Sequence, residues 1–246
     1  MRQFGLIGFP LSHSFSKKYF TEKFEKEGWQ DCQYDNHPID AITQLPDLLQ
    51  SYPLLEGLNI TIPYKEQVIP FLYKQSPVVK ETGACNCIKI ADGRLTGFNT
   101  DVTGFELSLK ERLAPHHKNA LILGTGGAAK AVEYVLNKLG IAYRYVSRSP
   151  AEGRLVYEAV TPELLATFTL IINTTPLGTY PNINELPPLP YSALGSSHYL
   201  FDLVYNPAKT LFLQKGEAQG AVIKNGHDML IIQAEESWKI WNDITV

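Results

Sequence analysis

Short apolar runs alternate with longer segments whose apolar residues recur every three or four positions, a pattern that predicts an α/β layer protein. Phe4 to Phe9 reads as a buried strand. A helix is expected from Ser16, as its cap, to about Glu27, with Phe20 and Phe24 on the apolar side and Gly28 as the stop. Cys32 to Asn36 reads as a second strand, Thr43 to Gln50 as a short helix and Gly57 to Ile62 as a third strand. That strand runs into Pro63, a residue suited to the first position of a helix, so a helix is expected to start there. Cys85–Ile90 and Leu95–Phe98 flank Asp92-Gly93, the signature of a tight hairpin. A helix follows to about Leu113, with Thr100 or Asp101 as its cap.

From Asn119 the character changes. The run Ala120-Leu121-Ile122-Leu123 leads straight into Gly124-Thr125-Gly126-Gly127-Ala128-Ala129, then a helix to Leu139, a stop at Gly140, and a strand from Ile141 to Val146. Strand, glycine turn, helix and strand in this order form the context of a dinucleotide fingerprint. The first glycine permits the tight turn, the second lets backbone approach a pyrophosphate, and Ala129 takes the third position. Only Ala151 to Arg154 separate Pro150 from the strand-like Leu155–Ala159, too few for a crossover helix. A helix is therefore expected to be missing there, with Leu155–Ala159 as a reduced or repositioned edge strand. Further strands are read at Leu170–Asn173, Tyr199–Val204 and Ala221–Ile223, and a helix at Thr210–Gly216. Thr174, at the end of the first of these strands, should border a cofactor cleft. His227 to Trp241 reads as an amphipathic helix whose apolar face is Leu230, Ile231, Ala234, Trp238 and Trp241. Met229 and Gln233, four apart, share one side of it.

Bulk properties narrow the function. The 246 residues carry a formal net charge of −3, which excludes electrostatic nucleic-acid binding as the main role. No signal pattern or membrane-length apolar run is visible, so the cytoplasm is the default expectation. Cys85-Asn86-Cys87 has no second ligand pair at zinc spacing, and the six histidines show no ligand spacing, so no metal is expected. The three cysteines read as reduced thiols, and His116-His117 as a solvated connector.

The candidate chemistry begins at Lys65. In the first turn of a helix starting at Pro63 it would sit at the positive end of the dipole, which favours loss of its proton and lets the ammonium act as an acid. Asn59 and Thr61 share one side of the preceding strand. A solvated surface lysine is the plainer alternative, as a purely structural helix cap is for Asp101. Where an acid would bind a ribose 2′-hydroxyl, the chain has Ser147-Arg148-Ser149. A guanidinium with two hydroxyls suits a 2′-phosphate, which favours NADP over NAD.

Several separated motifs occur together and in order: Ser12-His13-Ser14-Phe15-Ser16, Asn59-Ile60-Thr61-Ile62-Pro63-Tyr64-Lys65, Gly83-Ala84-Cys85-Asn86, Gly97-Phe98-Asn99-Thr100-Asp101, Gly124-Thr125-Gly126-Gly127-Ala128, Asn173-Thr174-Thr175-Pro176-Leu177-Gly178, Tyr205-Asn206-Pro207 and Gln233. Over essentially its whole length the chain resembles the shikimate/quinate dehydrogenase family, and shikimate dehydrogenase in particular. The resemblance implies NADPH-dependent reduction of 3-dehydroshikimate to shikimate, on the route to chorismate and the aromatic amino acids. It implies a substrate domain made of residues 1–100 plus 226–246, beside a Rossmann-like NADP-binding domain at 101–225. It assigns Lys65 as acid/base with Asp101 as its partner. It gives Ser14, Ser16 and Tyr205 the substrate carboxylate, and Thr61, Asn86, Asp101 and Gln233 the ring hydroxyls. Gly124, Gly126, Gly127, Ala128, Ser147, Arg148, Thr174, Gly226 and Met229 are the implied NADP contacts. The chain departs from the family at Lys17, where proline is usual, and at Glu152, where a second arginine is usual; Arg154 is the available substitute. A broader quinate/shikimate enzyme, NAD-linked, and a non-catalytic ligand sensor are the rival readings. Monomer and homodimer are both open.

Overall fold

The computed structural model describes residues 1–11 and 15–244. The chain forms two compact units, Met1–Thr100 with Gln233–Val246, and Asp101–Ile232. The second division therefore falls between Ile232 and Gln233, beyond the Gly226 boundary expected from the sequence.

The first unit contains β1 (Arg2–Gly8), α1 (Phe15–Glu27), β2 (Cys32–Pro38), α2 (Leu45–Ser51), β3 (Leu55–Ile60), β4 (Lys74–Gln75), α3 (Pro77–Thr82), β5 (Cys87–Ala91) and β6 (Arg94–Phe98). Its six strands lie in the order β2-β1-β3-β5-β6-β4. The β2, β1 and β3 strands are parallel, β5 joins β3 and β6 antiparallel, and β4 runs parallel to β6. The β5–β6 turn has positive φ at both Asp92 and Gly93, as a two-residue hairpin turn requires. Strand periodicity sorts the side chains onto two faces. Ile7, Leu58 and Ile60 join one apolar cluster, while Phe4 and Leu6 join a second with Phe20, Phe24, Tyr34, Trp238 and Trp241. Gly57 leaves room for Trp241, whose indole lies against it and donates to the Ile88 carbonyl at 3.0 Å.

The helix expected from Pro63 does not form. The Ile62–Pro63 peptide is cis, and the Tyr64 N–H donates to the Thr61 carbonyl at 2.9 Å, so Pro63 sits third in a tight turn. Pro70 removes a further helical donor and would crowd the carbonyl four residues back, and only a 3-10 turn at Ile69–Phe71 follows. The dipole argument for Lys65 thus has no helix to rest on. Likewise α1 begins at Phe15, so Ser16 lies inside its first turn and is not its cap.

The second unit contains α4 (Thr100–Lys110), β7 (Asn119–Leu123), α5 (Gly127–Lys138), β8 (Ala142–Ser147), β9 (Arg154–Val156), α6 (Pro162–Thr167), β10 (Leu170–Asn173), β11 (Tyr199–Asp202), α7 (Leu211–Ala218) and β12 (Val222–Lys224). The helix α8 (His227–Trp241) begins in this unit and ends in the first. All pairings in the second sheet are parallel, in the order β9-β8-β7-β10-β11-β12. That is the doubly wound dinucleotide-binding order, with its switch point between β7 and β10. No helix joins β8 to β9. The register explains how a short loop suffices: Arg154 pairs with Tyr145, so the chain steps back only from Ser147 to Tyr145, roughly 7 Å at strand rise. The β9 strand is shorter than expected, because Tyr157–Ala159 closes into a 3-10 turn. Another expectation fails at His117, which is buried and accepts the Ala114 N–H at 2.9 Å.

Candidate functional site

In the first unit the candidate residues rest on a buried network of amides and hydroxyls. Asn86, just before β5, is the hub. Its Oδ1 accepts the Thr100 N–H at 2.7 Å, which makes Asn86, 14 residues away, the side chain that satisfies the start of α4. Its Nδ2 donates to Thr100 Oγ1 at 3.0 Å and to Gln233 Oε1 at 3.3 Å. The structure therefore brings together Asn86 and Gln233, which lie 147 residues apart. Beneath them, Asn59 Nδ2 donates to Ser237 Oγ at 2.9 Å, and Ser237 Oγ donates to the Gln233 carbonyl at 2.9 Å. Tyr34 closes the network by donating its hydroxyl to Asn59 Oδ1 at 2.9 Å. Burial holds that phenol neutral, far above its ordinary range, while the neighbouring Ser16 hydroxyl works the other way.

Thr61 directly follows β3, donating its N–H to the Ile7 carbonyl at 2.9 Å. Lys65 is half-buried, and its carbonyl accepts the Cys85 N–H at 2.8 Å, which ties the lysine loop to the segment bearing Asn86. Ser14 lies outside the described residues. A cleft of about 510 Å³ is lined by Phe24, Trp29, Tyr34 and Asp35, and by none of the site residues expected from the sequence.

The second unit holds the glycine turn. Gly124 has φ +102°, and a Cβ there would meet Thr174 Oγ1 at 2.8 Å, so glycine is required for this approach. Thr174 is fixed by donating its hydroxyl to the Leu123 carbonyl at 2.7 Å. Gly126 takes the cap position of α5 with no capping side chain, and the space where its Cβ would sit is open. Gly127 and Ala128 begin the helix, presenting backbone N–H groups as an anion cradle. Arg148 is exposed at the end of β8, beside Ser147, whose hydroxyl donates to the Ser149 carbonyl at 2.5 Å. An open cradle and a free-reaching guanidinium fit a dinucleotide with a 2′-phosphate. Asp101 is buried in the first turn of α4. Tyr205 is half-buried, and its hydroxyl is raised by burial. Gly226 packs against the Leu203 carbonyl, where any Cβ would overlap, and Met229 is buried in the first turn of α8.

Residues to which the sequence reading gave no site role complete both groups: Tyr34, Ser237 and Thr100 in the first unit, Asn173 and Asp202 in the second. The available signal was polar residues closing apolar strand runs, as Asn173 and Asp202 do. Among the described residues no cluster of metal ligands occurs, and no helix is long and apolar enough to cross a membrane.

Sheet order and glycine turn together define a dinucleotide-binding α/β protein. Residues 6–88 match the model of the shikimate dehydrogenase substrate binding domain. Across 98% of its length the chain is 34% identical to the shikimate dehydrogenase (NADP(+)) of Carboxydothermus hydrogenoformans, covering 91% of that protein. It is 36% identical, over 98% of its length and 92% of the relative's, to the shikimate dehydrogenase (NADP(+)) of Staphylococcus aureus strain Newman. The crystal structure of shikimate 5-dehydrogenase from Thermus thermophilus, in complex with NADP(H) and shikimate, superposes with a TM-score of 0.87 at 30% identity, covering 99% of this chain and 94% of that one. The chain belongs to the shikimate dehydrogenase family.

Proposed function

We propose that the chain catalyses the reversible, NADPH-dependent reduction of 3-dehydroshikimate to shikimate, a step towards chorismate and the aromatic amino acids. The observation that carries this reading is full-length similarity to NADP(+)-named family members in a chain that keeps Lys65, Asn86, Asp101 and Gln233.

Each residue then has a physical task. Gly124, Gly126, Gly127 and Ala128 hold the cofactor pyrophosphate through backbone N–H groups, and Arg148 with Ser147 takes the 2′-phosphate. Gly226 and Met229 line the nicotinamide side, and Thr174 borders the cofactor cleft. When bound, the cofactor supplies the hydride that reaches the substrate carbonyl carbon. Lys65 donates a proton to the carbonyl oxygen as negative charge develops there. Asp101 orients the Lys65 amine and one ring hydroxyl. Asn86, Gln233 and Thr61 bind the ring hydroxyls, with Asn86 and Gln233 already aimed by Thr100 and Ser237. Ser14, Ser16 and Tyr205 bind the carboxylate. The enzyme is placed in the cytoplasm and works as a monomer or homodimer.

Steady-state kinetics of Lys65→Ala test the assignment. The expected result is a large fall in kcat with a modest change in KM, the pattern of a lost transition-state contact. A variant with the full wild-type rate would remove Lys65 from the mechanism and favour a ligand sensor on the same scaffold.

A further inference from the structure

We propose that Asp202 is a positioning residue: by accepting three hydrogen bonds, its buried carboxylate fixes the three backbone segments that carry Thr174, Tyr205 and Gly226. This rests on the reading of those three residues as cofactor and substrate contacts.

The geometry is built around a fully buried carboxylate at the end of β11. Asp202 pairs in register with Asn173 at the end of β10, and its Oδ1 accepts Asn173 Nδ2 at 2.9 Å and the Val204 N–H at 3.0 Å. Its Oδ2 accepts the Thr210 hydroxyl at 2.5 Å. Each of these donors passes the constraint on. Asn173, oriented by this bond, accepts the Thr175 N–H at 3.0 Å and the Thr175 hydroxyl at 2.6 Å, beside Thr174. Val204 precedes Tyr205, and its carbonyl accepts the Gly226 N–H at 3.2 Å. Thr210 also caps α7, accepting the Leu213 N–H at 3.4 Å.

An ionised carboxylate only accepts, and all three partners donate. No cation is among its partners in the described residues. Burial pushes Asp202 up to about 6, against the three hydrogen bonds that pull it down. A proton on Oδ2 would face the Thr210 oxygen, whose own hydrogen points back at it, so one bond of the three must reverse. The titratable group facing Asp202 is Tyr191, which donates to the Pro187 carbonyl at 2.8 Å and is kept neutral by burial and by the Asp202 charge. An asparagine would give a similar shape without a buried charge. Its acceptors hold these three segments in place.

Asp202→Ala, which removes all three acceptors, and Asp202→Asn, which keeps the Oδ1 acceptor, supply the test. Two ratios of variant to wild type are followed at about pH 8: kcat/KM for shikimate at saturating NADP, and hydrogen-exchange protection of the Val204 and Thr175 amides in the cofactor-free protein. Both ratios are expected to fall about tenfold below one for Asp202→Ala and to be restored towards one by Asp202→Asn. Ratios near one for Asp202→Ala, or no restoration by Asp202→Asn, would overturn the proposal. Amide ratios that follow this pattern in a protein unable to oxidise shikimate would instead overturn the catalytic reading and leave the role of Asp202 standing.

Discussion

In the first unit the side chains beneath Asn86 and Gln233 are amides and hydroxyls, whereas beneath Thr174 and Tyr205 in the second unit lies a carboxylate. Asn59, Ser237 and Thr100 each have a donor and an acceptor, so they hold their neighbours without a net charge and over a wide pH range. Asp202 has acceptors only and, among the described residues, no cation beside it, so burial makes its ionisation costly. The contrast teaches that two networks can both be hydrogen-bonded throughout, yet only one responds to protons.

The largest effect is expected at Asp101. Asp101→Asn keeps the size but removes the charge proposed to orient Lys65, and kcat should fall about 10²–10³-fold in steady-state assays. An unchanged rate would leave α4 with a structural acid and nothing more. The comparison itself is sharpened by the stability of Asp202→Asn. The carboxyl is raised from 3.8 to about 6 on folding, so its contribution favours the fold at low pH and is lost as pH rises through 6. At about pH 8 the neutral asparagine should therefore make the protein more stable, by up to about 3 kcal/mol, with the gap closing near pH 4. Urea unfolding at both pH values reads this, and a variant less stable at both would place no cost on the buried charge.

Asn86→Ala is expected to cost about 2 kcal/mol at any pH, because the Thr100 N–H loses its partner in a buried place, and to raise the shikimate KM. A strongly pH-dependent loss would break the claim that the first network is indifferent to protons. The smallest effect belongs to the exposed Arg148. Arg148→Ala should weaken NADPH binding about tenfold and leave NADH binding unchanged, as read by fluorescence titration. Equal loss for both cofactors would move the 2′-phosphate contact elsewhere, with Arg154 as the next residue to test.

The features legible in the sequence are those encoded locally. The glycine turn, the Asp92-Gly93 hairpin and the six-residue gap that cannot hold a helix before β9 are all spelled out within a few positions. Pro63 shows the limit of local reading. Proline suits a helix start and a tight turn alike, and Pro70, together with the Thr61–Tyr64 hydrogen bond, decided for the turn. Ser16 could not be told from a cap because the start of α1 lies one residue earlier. The networks were invisible for a different reason. Tyr34 meets Asn59 across 25 residues and Asn59 meets Ser237 across 178, and no spacing rule reaches that far. The same holds for Asp202, whose partner Asn173 is brought alongside only when β10 and β11 align.

The most direct test of the account is a spectrophotometric assay of the purified chain with shikimate or quinate, each with NADP or NAD. The account predicts that shikimate with NADP gives the highest kcat/KM of the four combinations. Preference for quinate or for NAD would contradict the substrate and cofactor assigned here, and no reduction in any combination would contradict the catalytic role of the Lys65 site.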